Sequence, residues 1–144
     1  MSFDLRDCTY YDLDFILSLK ELGMKWYIEK IYGWDIDIQR EKTRKELDKH
    51  IDDIKIIQVN NEDIGVTTFY KEDNAYVVGL IIIHPKYQCR GIASTIISNY
   101  INIAKAEKCN IIIKCYKDNP AKDLYKRLGF RVVSEDNSHI HMII

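Results

Sequence analysis

The chain is poor in cysteine, in long apolar runs and in net charge, and each shortage excludes a class of protein. Its four cysteines show no C-x-x-C spacing and are too few to staple 144 residues, which predicts reduced thiols rather than a disulfide framework. No apolar run approaches the roughly 20 residues of a membrane span, and the acidic segment 1–7 does not resemble a secretion signal. A net charge of −1 gives no general attraction for nucleic acid or anionic membranes. We therefore expect a cytoplasmic protein with no membrane partner, and nucleic acid is disfavoured as a partner.

The composition is that of a globular protein, with 47% hydrophobic and 30% charged residues. A chain of 144 residues has room for one hydrophobic core. We therefore expect a single domain over residues 1–144.

The first third of the chain predicts helices after a short strand at residues 3–7. Gly23 is expected to interrupt or end the first helix, and a second helical stretch over residues 25–31 is expected to stop at Gly33. Residues 35–51 are highly charged and predict a solvated helix. Its apolar stripe is thin and consists of Ile36, Leu47 and Ile51.

The rest of the chain alternates strand-like runs with helical segments. The predicted strands cover residues 54–59, 64–70, 75–83, 111–115, 130–133 and 139–144, and the predicted helices cover residues 92–107 and 120–128. The run 75–83 is almost continuously apolar, which is typical of a strand buried on both faces, and the strand 111–115 is also expected to be buried. A strand, a helix and a strand in this order predict a parallel pair with a right-handed crossover. The fold class is therefore α/β with a mixed sheet.

The loop between the strand 75–83 and the following helix is suited to a phosphate. A helix N-terminus presents backbone N–H groups and the positive end of the helix dipole. Gly91 and Ala93 keep side-chain bulk low there, and Arg90 adds a positive charge. Taken alone, the Q-x-x-G-x-A pattern also fits a tight turn, and it has neither the Walker ending nor the spacing of a dinucleotide fingerprint.

Two segments resemble the motifs of the GNAT family of N-acetyltransferases. Residues 81–93 (IIIHPKYQCRGIA) are similar to motif A, in which a central strand is followed by P-x-Y and then R/Q-x-x-G-x-G/A. Residues 119–130 (NPAKDLYKRLGF) resemble motif B of that family. The element order of the whole chain fits as well, although residues 8–53 match only in helix placement. The resemblance implies the GNAT acyl-CoA N-acyltransferase fold, a mixed, mostly antiparallel sheet with a central parallel β-α-β unit.

The resemblance also implies an enzyme that moves an acetyl group from acetyl-CoA directly to a primary amine of a small molecule or a peptide. Amides of the loop would bind the CoA pyrophosphate, the strand backbone would pair with the pantetheine arm, and Asn119 would touch that arm or shape the cleft. Tyr125 would lie beside the sulfur and protonate the leaving thiolate. The implied acetyl-CoA-binding positions are Ile81, Ile82, Ile83, Gln88, Cys89, Arg90, Gly91, Ile92, Ala93, Ser94 and Asn119.

The chemistry of a thioester explains why so few groups suffice. It is already an activated acyl donor, so the amine attacks directly and a fixed backbone N–H stabilises the carbonyl oxygen as charge develops. The amine must first lose a proton. Many family members place a glutamate in the central strand for that step, but the run 75–83 contains no acid. The base is therefore open among water, Tyr76, His141, Glu29 and another acid.

The acceptor amine is expected to bind where the chain departs most from the family pattern. Residues 8–53 hold an unusual concentration of aromatics, whose first interpretation is core packing and whose second is the wall of a substrate pocket. Aromatic faces and carboxylates attract a cationic amine. This second interpretation predicts an acceptor site that includes Trp26, Glu29 and Trp34.

Two other functions stay open at this point. The missing strand acid leaves room for an acyl-CoA-binding domain without catalysis, which would serve as a sensor or interaction module. A local basic patch leaves room for a nucleic-acid-directed acetyltransferase, and it comprises Lys42, Arg44, Lys45 and Lys49. No metal is expected, because His139 and His141 share a strand face without a third ligand. The oligomeric state is open, with a homodimer among the alternatives.

Overall fold

The computed structural model describes all residues from 1 to 144. Its strands are β1 (Asp4–Asp7), β2 (Ile54–Val59), β3 (Glu62–Glu72), β4 (Ala75–Ile83), β5 (Asn110–Tyr116), β6 (Arg131–Glu135) and β7 (His139–Ile143). Its α-helices are α1 (Leu13–Tyr32), α2 (Ile36–His50), α3 (Ile92–Ala106) and α4 (Ala121–Arg127). This element order confirms the order predicted from the sequence. None of the helices combines the length and apolar character that crossing a membrane requires.

The strands form one mixed sheet in the order β1-β2-β3-β4-β5-β7-β6. Strands β4 and β5 are parallel, from Ala75 opposite Asn110 to Val78 opposite Ile113. Helix α3 connects them, as parallel neighbours require a crossover. Pairing is antiparallel between β1 and β2, β2 and β3, β5 and β7, and β6 and β7. The predicted α/β class with a central parallel pair is therefore confirmed.

The chain divides into two compact units. The first comprises residues 1–68 and 80–92, and the second comprises residues 69–79 and 93–144. The core of the first unit joins α1, α2 and strands β2 to β4, through Leu13, Ile16, Leu19, Leu47, Ile54, Ile56, Val66 and Ile82.

Helix α1 corrects the prediction that Gly23 interrupts or ends the first helix. It runs unbroken from Leu13 to Tyr32, so residues 25–31 are its second half. A Cβ added at Gly23 would lie 3.0 Å from Cγ2 of Ile82, so glycine allows α1 to approach β4 closely. The predicted stop at Gly33 is confirmed, since this residue has a φ of 76° and donates its N–H to the carbonyl of Glu29 (3.2 Å).

Helix α2 buries Leu47 as predicted, but the rest of its buried stripe differs from the predicted one. Ile36 is 41% exposed, whereas Gln39, Thr43 and Leu47 are buried at four-residue spacing. Thr43 is buried with hydrogen bonds, because its hydroxyl donates to the carbonyl of Gln39 (2.8 Å) and accepts from Nζ of buried Lys20 of α1 (3.0 Å). An apolar period alone could not identify this polar contact between helices.

The second unit confirms the predicted core face of α3 but not the complete burial of β4 and β5. The buried residues of α3 are the five predicted ones, Ile96, Ile97, Tyr100, Ile101 and Ala104, together with Ile92. Strand β5 alternates, with Cys115 buried and Ile112 and Lys114 exposed, and Gly79 of β4 is exposed. An apolar run shows that a strand belongs to a core, but it does not show that both faces are covered.

Candidate active site

The loop that follows β4 is held in an unusual backbone conformation. After a 3-10 turn at Pro85–Tyr87 the chain passes through Cys89 (φ 61°) and Gly91 (φ 84°) before α3 begins. The side-chain amide of Gln88 donates to the carbonyl of Ile83 (2.8 Å), which ties the loop to the end of β4. Two left-handed residues within three positions turn the chain sharply into the helix.

Gly91 leaves open space at the start of α3. Its left-handed φ favours glycine, and a Cβ added there would meet no atom within 4 Å. The residues from Gln88 to Gly91 are exposed, and the first N–H groups of α3 have no partner inside the helix. The loop therefore fits a phosphate group, which needs backbone donors and room.

A cation lies beside this loop without an acidic partner. The Arg90 guanidinium lies 5.4 Å from the centre of the Tyr87 ring, and the Tyr87 hydroxyl donates to Glu62 Oε2 (3.0 Å). That hydrogen bond is the main reason why the pKa of Tyr87 is raised, so the phenol stays neutral. Arg90 forms no ion pair with a carboxylate of the protein, and its charge is available to an anion.

The end of β4 is fixed against β3. The N–H of His84 donates to the carbonyl of Ile64 (2.7 Å). A Cβ at Gly65 would lie 2.7 Å from the carbonyl oxygen of Ile82, so only glycine allows this approach. The end of the segment 81–83, whose backbone is implied in pantetheine binding, is therefore in close contact with β3.

In the second unit, α4 begins at Ala121 with Pro120 in the cap position, one residue later than predicted, and Asn119 lies directly before it. Its Oδ1 accepts the N–H of Ala121 (2.9 Å), and its own N–H donates to the carbonyl of Tyr116 (2.9 Å). The side-chain nitrogen of Asn119 makes no hydrogen bond within the protein and can donate to a ligand.

Tyr125 of α4 is 5% exposed and packs edge-on against Phe130, with ring centres 6.1 Å apart. Burial raises its pKa, with a smaller contribution from nearby Cys115, so Tyr125 is protonated at neutral pH. Its hydroxyl has no hydrogen-bond partner in the protein, although it is not sealed from solvent. Such a hydroxyl can donate to a ligand.

The candidate bases differ in their surroundings. The Tyr76 hydroxyl is bonded to Glu107, which raises the pKa of Tyr76 and keeps it protonated. Glu29 is exposed on α1, and its carboxylate has no side-chain partner. His141 Nε2 lies 2.9 Å from Asp136 Oδ2, a partner that the sequence alone did not identify. Only His141 combines a proton-accepting ring with a group that orients it.

Two aromatic residues in the second half of α1, Trp26 and Tyr32, are not core residues. Trp26 is 60% exposed and Tyr32 is 69% exposed, so the first interpretation, core packing, is wrong for both. The Nζ of Lys30 lies 4.0 Å above the Trp26 ring. Trp34 is half-buried and Glu29 is exposed.

The comparisons with known proteins agree on one family. Residues 18–130 match the model of the acetyltransferase (GNAT) family. The PaiA N-acetyltransferase from Thermoplasma acidophilum, solved in complex with coenzyme A, is 22% identical with a TM-score of 0.80, over 99% of this chain and 98% of that chain. None of the curated protein sequences matches this chain.

Two other solved structures are similar over nearly their whole length. An acetyltransferase from Thermus thermophilus is 16% identical with a TM-score of 0.73, over 100% of this chain and 97% of that chain. The ribosomal-protein-S18-alanine N-acetyltransferase from Escherichia coli is 12% identical with a TM-score of 0.72, over 99% and 93%. At these identities the likeness establishes the fold.

Proposed function

The chain belongs to the GNAT acetyltransferase family, and from this premise we propose that residues 1–144 act as one cytoplasmic domain that transfers acetyl from acetyl-CoA to a primary amine. The main support for the proposal is the exposed loop from Gln88 to Gly91, which leads into α3 and in which Arg90 forms no ion pair with a carboxylate. The coenzyme A bound in the PaiA relative supports the same donor.

Each part of acetyl-CoA has a partner in this proposal. The pyrophosphate would accept hydrogen bonds from the amides of residues 88–94 and attract Arg90. The pantetheine arm would pair with the backbone of residues 81–83, and the Asn119 side-chain nitrogen would donate to it. A backbone N–H of that strand would stabilise the charge that develops on the thioester oxygen.

Tyr125 is the proposed proton donor to the leaving thiolate. Burial raises the pKa of Tyr125 and would make an isolated phenol a weaker acid. The same burial raises the pKa of a neighbouring thiol, as it does for Cys115 beside Tyr125. A CoA thiolate placed there would therefore be a stronger proton acceptor than in water, and donation from Tyr125 remains feasible.

The acceptor is proposed to be a small-molecule or peptide-borne amine that binds the first unit near Trp26, Glu29 and Trp34. The Lys30 ammonium lies over the Trp26 ring, and an acceptor amine in its protonated form carries the same kind of charged group. We expect Trp34→Ala and Glu29→Gln to raise the acceptor KM while the acetyl-CoA KM changes little. Unchanged acceptor kinetics in both folded variants would place the acceptor elsewhere.

A CoA-release screen tests the proposed activity. Purified protein and acetyl-CoA are mixed with polyamines, amino acids, aminoglycosides or N-terminal peptides, and free thiol is measured. We expect release above the no-acceptor rate with at least one class, and mass spectrometry should find the product heavier by one acetyl group. Tight acetyl-CoA binding without release for any amine would instead support the second candidate, a non-catalytic acyl-CoA sensor, which the absence of an acid in residues 75–83 favours.

A further inference from the structure

Tyr87 lies between a carboxylate and the cation of the proposed pyrophosphate loop. Its hydroxyl donates to Glu62 Oε2 (3.0 Å), and the guanidinium carbon of Arg90 lies 5.4 Å from the centre of its ring. The one hydrogen bond of the Arg90 side chain, to Sδ of Met1 (4.0 Å), is weak because a thioether is a poor acceptor. The Tyr87 ring is therefore the stronger of the two partners that Arg90 has. Glu62, Tyr87 and Arg90 all belong to the first unit.

Arg90 is exposed, and a free arginine side chain has many rotamers of similar energy. An anion that binds the guanidinium must restrict these rotamers, which costs entropy. A cation within about 6 Å of the centre of an aromatic ring is attracted to the face of that ring. The Tyr87 ring therefore restricts the Arg90 side chain before a ligand arrives and reduces the entropy cost of binding.

Glu62 fixes the Tyr87 ring and strengthens its attraction for a cation. The hydrogen bond to Glu62 Oε2 anchors the phenol to the first residue of β3. A hydroxyl that donates to a carboxylate shifts electron density toward its own ring, and a more negative ring face attracts a guanidinium more strongly. Glu62 therefore acts on Arg90 through Tyr87 rather than through an ion pair.

A similar trio in the second unit shows how the surroundings of Arg90 differ. There the Tyr76 hydroxyl is bonded to Glu107, and Nζ of Lys71 lies 5.8 Å from the centre of the Tyr76 ring. Lys71 also forms an ion pair with Oε1 of Glu107 (3.3 Å), so the carboxylate neutralises the cation. Arg90 forms no ion pair with Glu62 or any other carboxylate. The trio at the loop therefore orients a cation and leaves its charge available to a ligand.

We propose that Tyr87, held by Glu62, is a positioning residue that orients Arg90 toward the pyrophosphate of acetyl-CoA, an assignment that rests on the proposed donor site. Arg90 precedes Ile92, the first residue of α3, by two positions, so a phosphate at the first N–H groups of this helix would lie beside it. A guanidinium can donate two hydrogen bonds to phosphate oxygens when its plane is correctly oriented. Tyr87 contributes only through Arg90, so its replacement should matter only while Arg90 is present.

Calorimetry of acetyl-CoA binding to folded full-length variants tests this dependence as a double-mutant cycle. We expect Arg90→Gln to weaken binding about 10- to 100-fold, because it removes charge-assisted hydrogen bonds. Tyr87→Leu should weaken binding about 2- to 5-fold, which is the scale of a cation–π interaction at an exposed site. In the Arg90→Gln protein the same Tyr87→Leu change should have no further effect, a result that a merely structural role of Tyr87 would not produce.

Tyr87→Phe keeps the ring and the charge of Glu62 and removes only the hydrogen bond between them. Its acetyl-CoA affinity should lie between those of the wild type and Tyr87→Leu, and it carries the test if Tyr87→Leu fails to fold. Tyr10→Leu is the matched control, because the Tyr10 hydroxyl also donates to a carboxylate, Asp48 Oδ1 (2.9 Å), while no cation lies over its ring. We expect wild-type acetyl-CoA affinity for Tyr10→Leu.

CoA and 3′-dephospho-CoA separate the two phosphate-bearing parts of the ligand. A loss of affinity in the Tyr87 variants that is equal for both ligands would support the pyrophosphate, whereas a loss restricted to CoA would assign Arg90 to the 3′-phosphate and overturn the proposal. Wild-type affinity in the Tyr87 variants, or an equal loss with and without Arg90, would overturn the positioning role and leave the donor site standing. A wild-type protein that binds no acetyl-CoA would overturn both.

Discussion

The two motif segments, residues 81–93 and 119–130, and the α1–α2 region show two different ways in which sequence determines structure. In the motif segments single residues meet local backbone demands, as Gly91 does at a φ of 84° and Asn119 does at the start of α4. In the α1–α2 region the residue type is determined by contacts with residues far away in the sequence. Gly23 leaves room for Ile82, and Lys20 donates a hydrogen bond to Thr43. The first kind of requirement is visible in a short stretch of sequence, whereas the second appears only after the chain has folded.

The comparison predicts that a motif residue can be changed with a large loss of activity and little loss of stability. Tyr125→Phe keeps the ring packing against Phe130 and removes only a hydroxyl that bonds to no protein group. We expect the acetyl transfer rate to fall about 10²-fold, with the free energy of unfolding and acetyl-CoA affinity close to wild type. Steady-state kinetics where chemistry limits the rate measures this. An unchanged rate in Tyr125→Phe would remove Tyr125 from the mechanism.

In the α1–α2 region we expect a substitution to reduce the stability of the whole fold even when the new residue favours the local helix. Gly23→Leu introduces a good helix former, but its side chain would collide with Ile82. We expect overpacking to lower the free energy of unfolding by roughly 1–3 kcal/mol, measured by urea denaturation. The loss should be smaller when Ile82→Ala is also present. A more stable Gly23→Leu protein would show that α1 does not approach β4 closely.

A smaller effect is expected where the start of the α1–α2 region is joined to the β2–β3 hairpin. Arg6 donates to both oxygens of Asp12 (2.9 and 2.8 Å) and to Asp63 (3.2 and 2.8 Å). Burial opposes ionisation of Asp12, but the hydrogen bonds from Arg6 and the Thr9 N–H outweigh it, and the pKa of Asp12 is lowered. The pKa of Asp63 is lowered chiefly by its hydrogen bonds from Arg6.

The sign of the pH dependence follows from these lowered pKa values. Their stabilisation is fully present above the ordinary carboxyl pKa of about 4 and is lost as pH falls through the lower folded values. We expect Arg6→Gln to reduce stability at pH 7 by about 1–2 kcal/mol, between the values for exposed and buried pairs. The difference from wild type should shrink below pH 4 in urea denaturation. An equal difference at pH 7 and pH 3 would contradict the assigned role of Arg6.

Much of the fold followed from the sequence because the responsible signals are local. Turn residues, the Asn119-Pro120 start of α4 and the apolar face of α3 predicted the element order and the parallel β4–β5 pair. The unbroken α1 was not predicted, because a glycine in the sequence is compatible both with the end of a helix and with the close approach of a neighbouring strand. The exposed faces of β4 and β5 were missed because burial depends on which elements cover a strand.

In the candidate site, too, some features could be predicted from the sequence and others depended on the folded chain. The loop at residues 88–91 could be proposed as a phosphate site from the sequence, because its glycine and its place before a helix are sequence features. The contact between Asp136 and His141 was missed because it depends on a turn that brings Oδ2 within 2.9 Å of Nε2. The exposure of Trp26 also required the folded helix, since spacing alone does not tell which face of α1 is covered.

Calorimetry of acetyl-CoA binding to two glycine variants tests the central claim most directly. Gly91→Glu and Gly33→Glu both place a glutamate at a residue with a positive φ where a Cβ meets no atom within 4 Å, so the sign of φ, the local space and the added charge are matched. Only Gly91 lies in the proposed pyrophosphate loop. We predict that Gly33→Glu binds acetyl-CoA as the wild type does, whereas folded Gly91→Glu shows no measurable binding. Wild-type affinity in folded Gly91→Glu would contradict the account.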